Sequence, residues 1–183
     1  MQKIVATAVL ALFFSSLAYG QEQDEAQKPA TKLEAFQART GIVVVRGYTT
    51  VGSVRGMGTV TVDARDFRDA SNPKTRLTGV SIAVKESGRL ERENIALIDS
   101  DEIESLLAGL DYISKATKDV TPLMNFEVEY RTKGDFRITV FNNSSGELSA
   151  AVSSGRIGKT SAYIKLPQLS ELRQLILDAK SKM

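Results

Sequence analysis

An α+β fold follows from three observations. Apolar residues alternate with period two in a series of short stretches, two other stretches repeat every three to four residues, and Gly, Asn, Ser and Pro fall between them. The order reads four strands and a helix, twice: antiparallel sheets in a (β4-α)x2 order packed on two amphipathic helices, plus a short N-terminal helix.

The elements follow in turn. Residues 21–30 are polar and without period, and read as a flexible leader. Thr31-Lys32-Leu33-Glu34 is a capping box that opens a short helix, with Leu33 and Phe36 on one face and Gly41 as a left-handed stop. From Gly41 the period changes to two. The β-branched run Ile42-Val43-Val44-Val45, bounded by Gly47, predicts a buried strand. Val54, Val60 and Val62 share one face of a second strand, and Asp66 to Thr75, with Ser71-Asn72-Pro73, predicts a loop. Val80, Ile82 and Val84 mark a third strand, and Ser87-Gly88 turns into a fourth ending near Ile98. Asp99, three residues before Glu102, predicts a helix cap, and Ile103, Leu106, Leu107 and Leu110 form a helical stripe. Gly109 inside that stripe costs about 1 kcal/mol relative to Ala.

The second half repeats the theme. Phe126, Val128 and Tyr130, then Phe136, Ile138 and Val140, flank the Lys133-Gly134 turn and predict a hairpin. Asn142 to Gly146 turns into Leu148, Ala150 and Val152, and Ser154-Gly155 into Ala162, Ile164 and Leu166. Pro167 opens a last helix lined by Leu169, Leu172, Ile176 and Ala179. Each stripe is expected to cover the sheet of its own half: Leu106 and Leu110 the first, Leu172 and Ile176 the second. Ser87-Gly88-Arg89-Leu90 and Ser154-Gly155-Arg156-Ile157 occupy matching places, and a strand runs into a helix at Ile98-Asp99-Ser100 and again at Leu166-Pro167-Gln168.

This order, over about residues 41–181, resembles the β4α-β4α arrangement of the Whirly and PC4-like single-strand nucleic-acid-binding folds. The resemblance implies curved antiparallel sheets backed by two helices, and a nucleic-acid-binding module as an alternative function. The lysine-rich KGKAAL-type motif of the plant Whirly proteins has no counterpart; the nearest stretch is Gly158-Lys159-Thr160-Ser161-Ala162.

The N-terminus carries an address. Lys3 precedes an apolar run from Ile4 to Leu17, and Ala18-Tyr19-Gly20 sets small residues three and one before Gln21. This predicts a signal peptide over 1–20, cleaved after Gly20 or alternatively after Ala18, and a secreted or periplasmic protein. The run is shorter than the roughly 18 residues of a membrane span, and no Cys stands at the cleavage site to take a lipid. The remaining chain divides into the leader, 21–30, and a single α+β domain, 31–183, with halves of about 41–118 and 123–181.

Composition narrows the chemistry. Without Cys or His, the chain can build neither a disulfide, a Ser-His-Asp or Cys-His triad, nor a His- or Cys-ligated metal site. Loss of Lys3 with the signal leaves a net charge of +1, not the basic excess of a general nucleic-acid binder.

Four clusters invite attention. Gly155-Arg156-Ile157-Gly158-Lys159-Thr160 ends like a phosphate-binding loop, but Ser153 stands where that loop needs Gly and a strand follows instead of a helix. Asp99, Asp101, Glu102 and Glu104 suit a helix cap and first turn better than a calcium loop. Glu127, Glu129, Arg131 and Arg137 read as a solvated hairpin face. Gly47, Gly52, Gly56 and Gly58 surround Arg46, Tyr48 and Arg55; they mark either bends in a curved sheet or a ligand site, in which arginines would hold an anion. The ligand-site prediction is therefore Arg46, Tyr48, Arg55, Gly56 and Gly58, with no catalytic residue, metal or cofactor. The functional expectation is an exported, non-catalytic binding or envelope-associated structural protein, partnered by a protein or small ligand of the cell envelope. A single-strand nucleic-acid module and a carboxylate-only hydrolase are the alternatives.

Overall fold

The computed structural model describes residues 28–89, 91–143 and 145–183. The expected signal peptide and all of the leader before Lys28 lie outside the described residues. Among the described residues no helix is long and apolar enough to cross a membrane.

Thr31 starts α1 (Lys32–Gln37) as predicted, its hydroxyl accepting the Glu34 amide at 3.0 Å. Glu34 in turn accepts from the Ala30 amide. Gly41 has a φ of +75°, but the helix has already ended four residues earlier. Four antiparallel strands follow in sequence order: β1 (Val44–Gly56), β2 (Gly58–Asp69), β3 (Asn72–Lys85) and β4 (Glu93–Asp99). After α2 (Ile103–Ile113), a second sheet of the same order is made by β5 (Glu127–Arg131), β6 (Arg137–Asn142), β7 (Leu148–Ser154) and β8 (Thr160–Lys165). The chain closes with α3 (Gln168–Lys180). The expected α+β class and (β4-α)x2 order are present.

Three local expectations are corrected. The run Ile42–Val45 is not a buried strand: it is the entry to edge strand β1, and Val43 and Val45 are 64% and 50% exposed. Val54 does not share a strand with Val60. It lies on β1 and faces Val60 across the hairpin, with Met57 at the tip. The loop predicted over Asp66–Thr75 shrinks to Ala70-Ser71, because β2 and β3 stay paired to Asp69 and Asn72. Cross-strand bonds outlasted the turn signal of Ser71-Asn72-Pro73.

The largest correction concerns the helices. Leu106, Leu110, Leu172 and Ile176 are all buried, as their spacing requires. Yet α2 lies on β5 and β6, and α3 lies on β1, β2 and β3. Each helix packs mainly on the sheet of the other half, α3 also touching β8, while β7 and β8 pack directly against the first sheet. Two glycines mark the close crossings. A Cβ on Gly109 would collide with the Tyr130 ring of β5, and one on Gly52 would stand 2.6 Å from Leu175 of α3. The helix-propensity cost of Gly109 is thus offset by a close helix–sheet approach that no larger residue allows. The helices also touch each other, with Arg173 holding Asp111 through two hydrogen bonds of 2.7 and 3.0 Å. One continuous core results, running from Val54 and Val60 through Leu106 to Ile176. A second, small core of Leu33, Phe36, Phe67 and Leu97 sits under α1.

Candidate functional site

The five residues of the predicted ligand site do not come together. Arg46 and Tyr48 lie on the outer face near the start of β1, where the Arg65 guanidinium stands 5.0 Å from the centre of the Tyr48 ring. Arg55 and Gly56 lie at the far end of the same strand, nine residues or about 30 Å away. Gly58 opens β2 beyond the tip, with a φ of +113° that only glycine takes without strain. The irregularity between Thr50 and Gly52 is a bulge between the two groups.

What Arg55 and Gly56 join is a junction between the sheets. The Met57 amide donates to the Tyr163 carbonyl at 2.8 Å, and the Tyr163 amide donates to the Met57 carbonyl at 2.9 Å. The β1–β2 tip is thereby sewn onto β8. A side chain on Gly56 would collide with the Tyr163 carbonyl, so the junction needs glycine there. Gln168 clasps the same corner: its side-chain N–H donates to the Arg55 carbonyl at 2.9 Å while its side-chain oxygen accepts the Lys165 amide at 3.0 Å.

Beside this clasp lies a groove of about 630 Å³, lined by Arg55, Gly56, Met57, Phe141, Ser149, Tyr163, Ile164, Lys165 and Gln168. Strand alternation places its floor. Ile138, Val140, Ala162 and Ile164 point into the core, so Phe141 and Tyr163 point outward. Their rings meet edge to face with centroids 6.5 Å apart. Met57 is 73% exposed and Tyr163 48%. Arg55 and Lys165 flank this apolar bed, and neither takes part in an ion pair among the described residues. The nearest acid in the same row, Glu127, stands on edge strand β5, paired with Phe141 and three strands from Lys165. The groove is therefore apolar in the middle and cationic at its rim.

Sequence reasoning found Arg55 and Gly56 but missed Met57, Phe141, Tyr163 and Lys165. A signal existed: both aromatics occupy outward positions of well-patterned strands, where polar residues belong.

The acidic cluster does other work. Asp99 does not cap α2; its two carboxylate oxygens accept the amides of Lys32 at 2.8 Å and Leu33 at 3.0 Å, so it holds the start of α1. Glu102 accepts the Lys133 amide at 2.8 Å and so holds the β5–β6 turn. That turn places Asp135 at φ +60°, with its carboxylate bonded by Arg131, by Arg137 and by Arg156 at 2.8 Å. Burial pushes the Asp135 carboxyl upward, but the arginines outweigh it and keep it below the ordinary range. Arg156 also bonds Glu34 at 3.0 Å. The near-phosphate-loop segment is thus a strand connection whose arginine ties α1, the β5–β6 turn and the β7–β8 turn together.

No family model, curated protein or solved structure matches the chain.

Proposed function

We propose that this is an exported, non-catalytic binding protein of the cell envelope whose ligand seat is the groove at the sheet junction. The observation that carries the reading is a pair of cations, Arg55 and Lys165, without an ion pair among the described residues, at the rim of a bed of exposed Met57 and Tyr163 and half-buried Phe141. Such a seat suits a ligand with an anionic group joined to an apolar or aromatic body: the cations take the acid, the bed takes the rest. Binding is favoured over hydrolysis because no carboxylate among the described residues lines the groove. The buried acids Asp69, Asp99, Glu102 and Asp135 are each engaged by a backbone amide or an arginine, with only Oε2 of Glu102 left without a partner among the described residues.

Titration with an anilinonaphthalene sulfonate, an anionic aromatic probe, tests this reading. Enhanced fluorescence with saturable binding is expected, and loss of one charge-assisted contact, about 1.5–3 kcal/mol, should weaken it at least about tenfold in Arg55→Ala or Lys165→Ala. Binding that is unchanged in both variants refutes the seat. The nucleic-acid alternative uses the same rings as stacking platforms. Low-micromolar binding of an oligothymidylate, lost steeply on raising salt, would put it in first place.

A further inference from the structure

We propose that two copies of this chain pair edge to edge through β1, antiparallel, with Gly47 on the two-fold axis. β1 ends its sheet, and among the described residues no strand pairs with its outer edge over Val44–Thr50. The Val43 carbonyl accepts the Ala70 amide at 2.9 Å, which fixes the alternation. Residues 43, 45, 47 and 49 turn their amides and carbonyls toward β2, while Val44, Arg46, Tyr48 and Thr50 turn theirs outward. Beyond Thr50 the bulge breaks the pattern, and α3 approaches at Gly52. The free edge is therefore seven residues long, centred on Gly47.

Protection of this edge is slight: Arg46 is its one charge and the bulge lies only at its end, no Pro or Lys stands between Val43 and Thr50, and Val43 and Val45 are exposed beside it. The partner that fits is a second copy, because side-chain chemistry selects one symmetric register. With Gly47 opposite Gly47, Val44 faces Thr50 and Arg46 faces Tyr48, so every outward-pointing residue finds a bonded partner. Among the described residues Arg46 carries no ion pair, and the Tyr48 ring is 68% exposed with Arg65 over one face, so a guanidinium from the second copy can take the other. Moving the axis to Arg46 sets two like charges opposite each other, and moving it to Tyr48 strands Val44. The axis at Gly47 also falls on a non-hydrogen-bonded pair, where Cα atoms approach to about 4.5 Å and glycine crowds nothing.

Because the chain lacks Cys, a single introduced thiol reports the register. Gly47→Cys is tolerated by its surroundings, since the added Cβ meets Asp66 at ordinary contact distances of 3.5 and 3.7 Å. Two thiols at that pair lie within disulfide reach, whereas two at position 50 stand about 20 Å apart. Under mild oxidation of the purified protein, Gly47→Cys should give a covalent dimer and Thr50→Cys a monomer. Light scattering across a concentration series should give the mass of two chains at the top. Tyr48→Lys, which sets a cation opposite Arg46, should return it to one chain, and adding Arg46→Glu should restore two. A wild-type mass of one chain at every concentration, or equal cross-linking at positions 47 and 50, overturns the proposal. If Tyr48→Lys fails to fold, as circular dichroism would show, the cross-linking pair decides alone.

Discussion

The two sheets share strand number, order and sense, yet differ in length. β1, β2 and β3 have 13, 12 and 14 residues, whereas β5 to β8 have between 5 and 7. The helix on the second sheet, α2, has 11 residues and spans about 16 Å, the reach of about five strand residues. The second sheet therefore ends about where helical cover ends. The first overshoots, and its two faces handle the excess differently. On one face α1 supplies a private cover, with Leu33 and Phe36 over Phe67 and Leu97. On the other, Asp66 is clamped by Arg68 and Arg76, and among the described residues no apolar cover is added. The contrast shows where surface becomes available: the overshoot leaves the free edge of β1, and the hairpin tip at the opposite end reaches β8 and builds the groove.

The sharpest way to break the comparison is to ask whether the sheets are separate units at all. Because each helix covers the other half's sheet, Leu106→Ala should cost about 2–5 kcal/mol and unfold both sheets in one transition. Leu172→Ala should do the same from α3. Denaturant melts read at Tyr48 in the first sheet and at Tyr163 in the second, each with the other tyrosines replaced by Phe, check this. Two separated transitions would show that the halves unfold independently.

This exchange also marks the limit of what the sequence made legible. Spacing identified which face of each helix is buried, since Leu106, Leu110, Leu172 and Ile176 are all covered. It could not say by which sheet, because an apolar stripe specifies burial and not its partner. Ile42–Val45 misled for a related reason. β-branching favours strands in general, but whether an edge is covered depends on elements distant in sequence. Asp99 was read locally as a cap for α2, whereas its amides come from a helix 66 residues earlier. The alternating strands of the second half were legible because each buries one face, under α2 or against the first sheet, so period and burial agree.

The next test concerns the seam. Gly56→Ala places a methyl group against the Tyr163 carbonyl, backbone that cannot swing aside, and should cost about 1–3 kcal/mol. Gly52→Ala meets the flexible end of Leu175 and should cost less. Paired melts give the ranking, and the reverse order would mean that the β1–β2 tip is loosely held.

A gentler probe addresses the private cover on the first sheet. Asp99→Ala removes the carboxylate that accepts two amides of α1 and should cost about 1–3 kcal/mol. The loss should be local. Hydrogen exchange at Lys32 to Phe36 is expected to accelerate well beyond exchange in α2 and α3, while uniform acceleration throughout would show that α1 belongs to the main core.

The smallest effect lies on the face without added cover. Arg68 holds the Asp66 carboxyl down to about 2, against a desolvation cost and with help from Arg76. A carboxyl depressed in the folded state stabilises above its unfolded value of 3.8, and the contribution fades as pH falls through the folded value. Both arginine side chains are about half exposed, so solvent screens the pairs and the gain is at most about 1 kcal/mol. Urea melts of the wild type and Asp66→Asn should differ by this amount at pH 6, converge between pH 4 and 2, and coincide below. A difference that persists undiminished at pH 2 would mean that Asp66 acts through its shape or its neighbours' packing, and not through its charge.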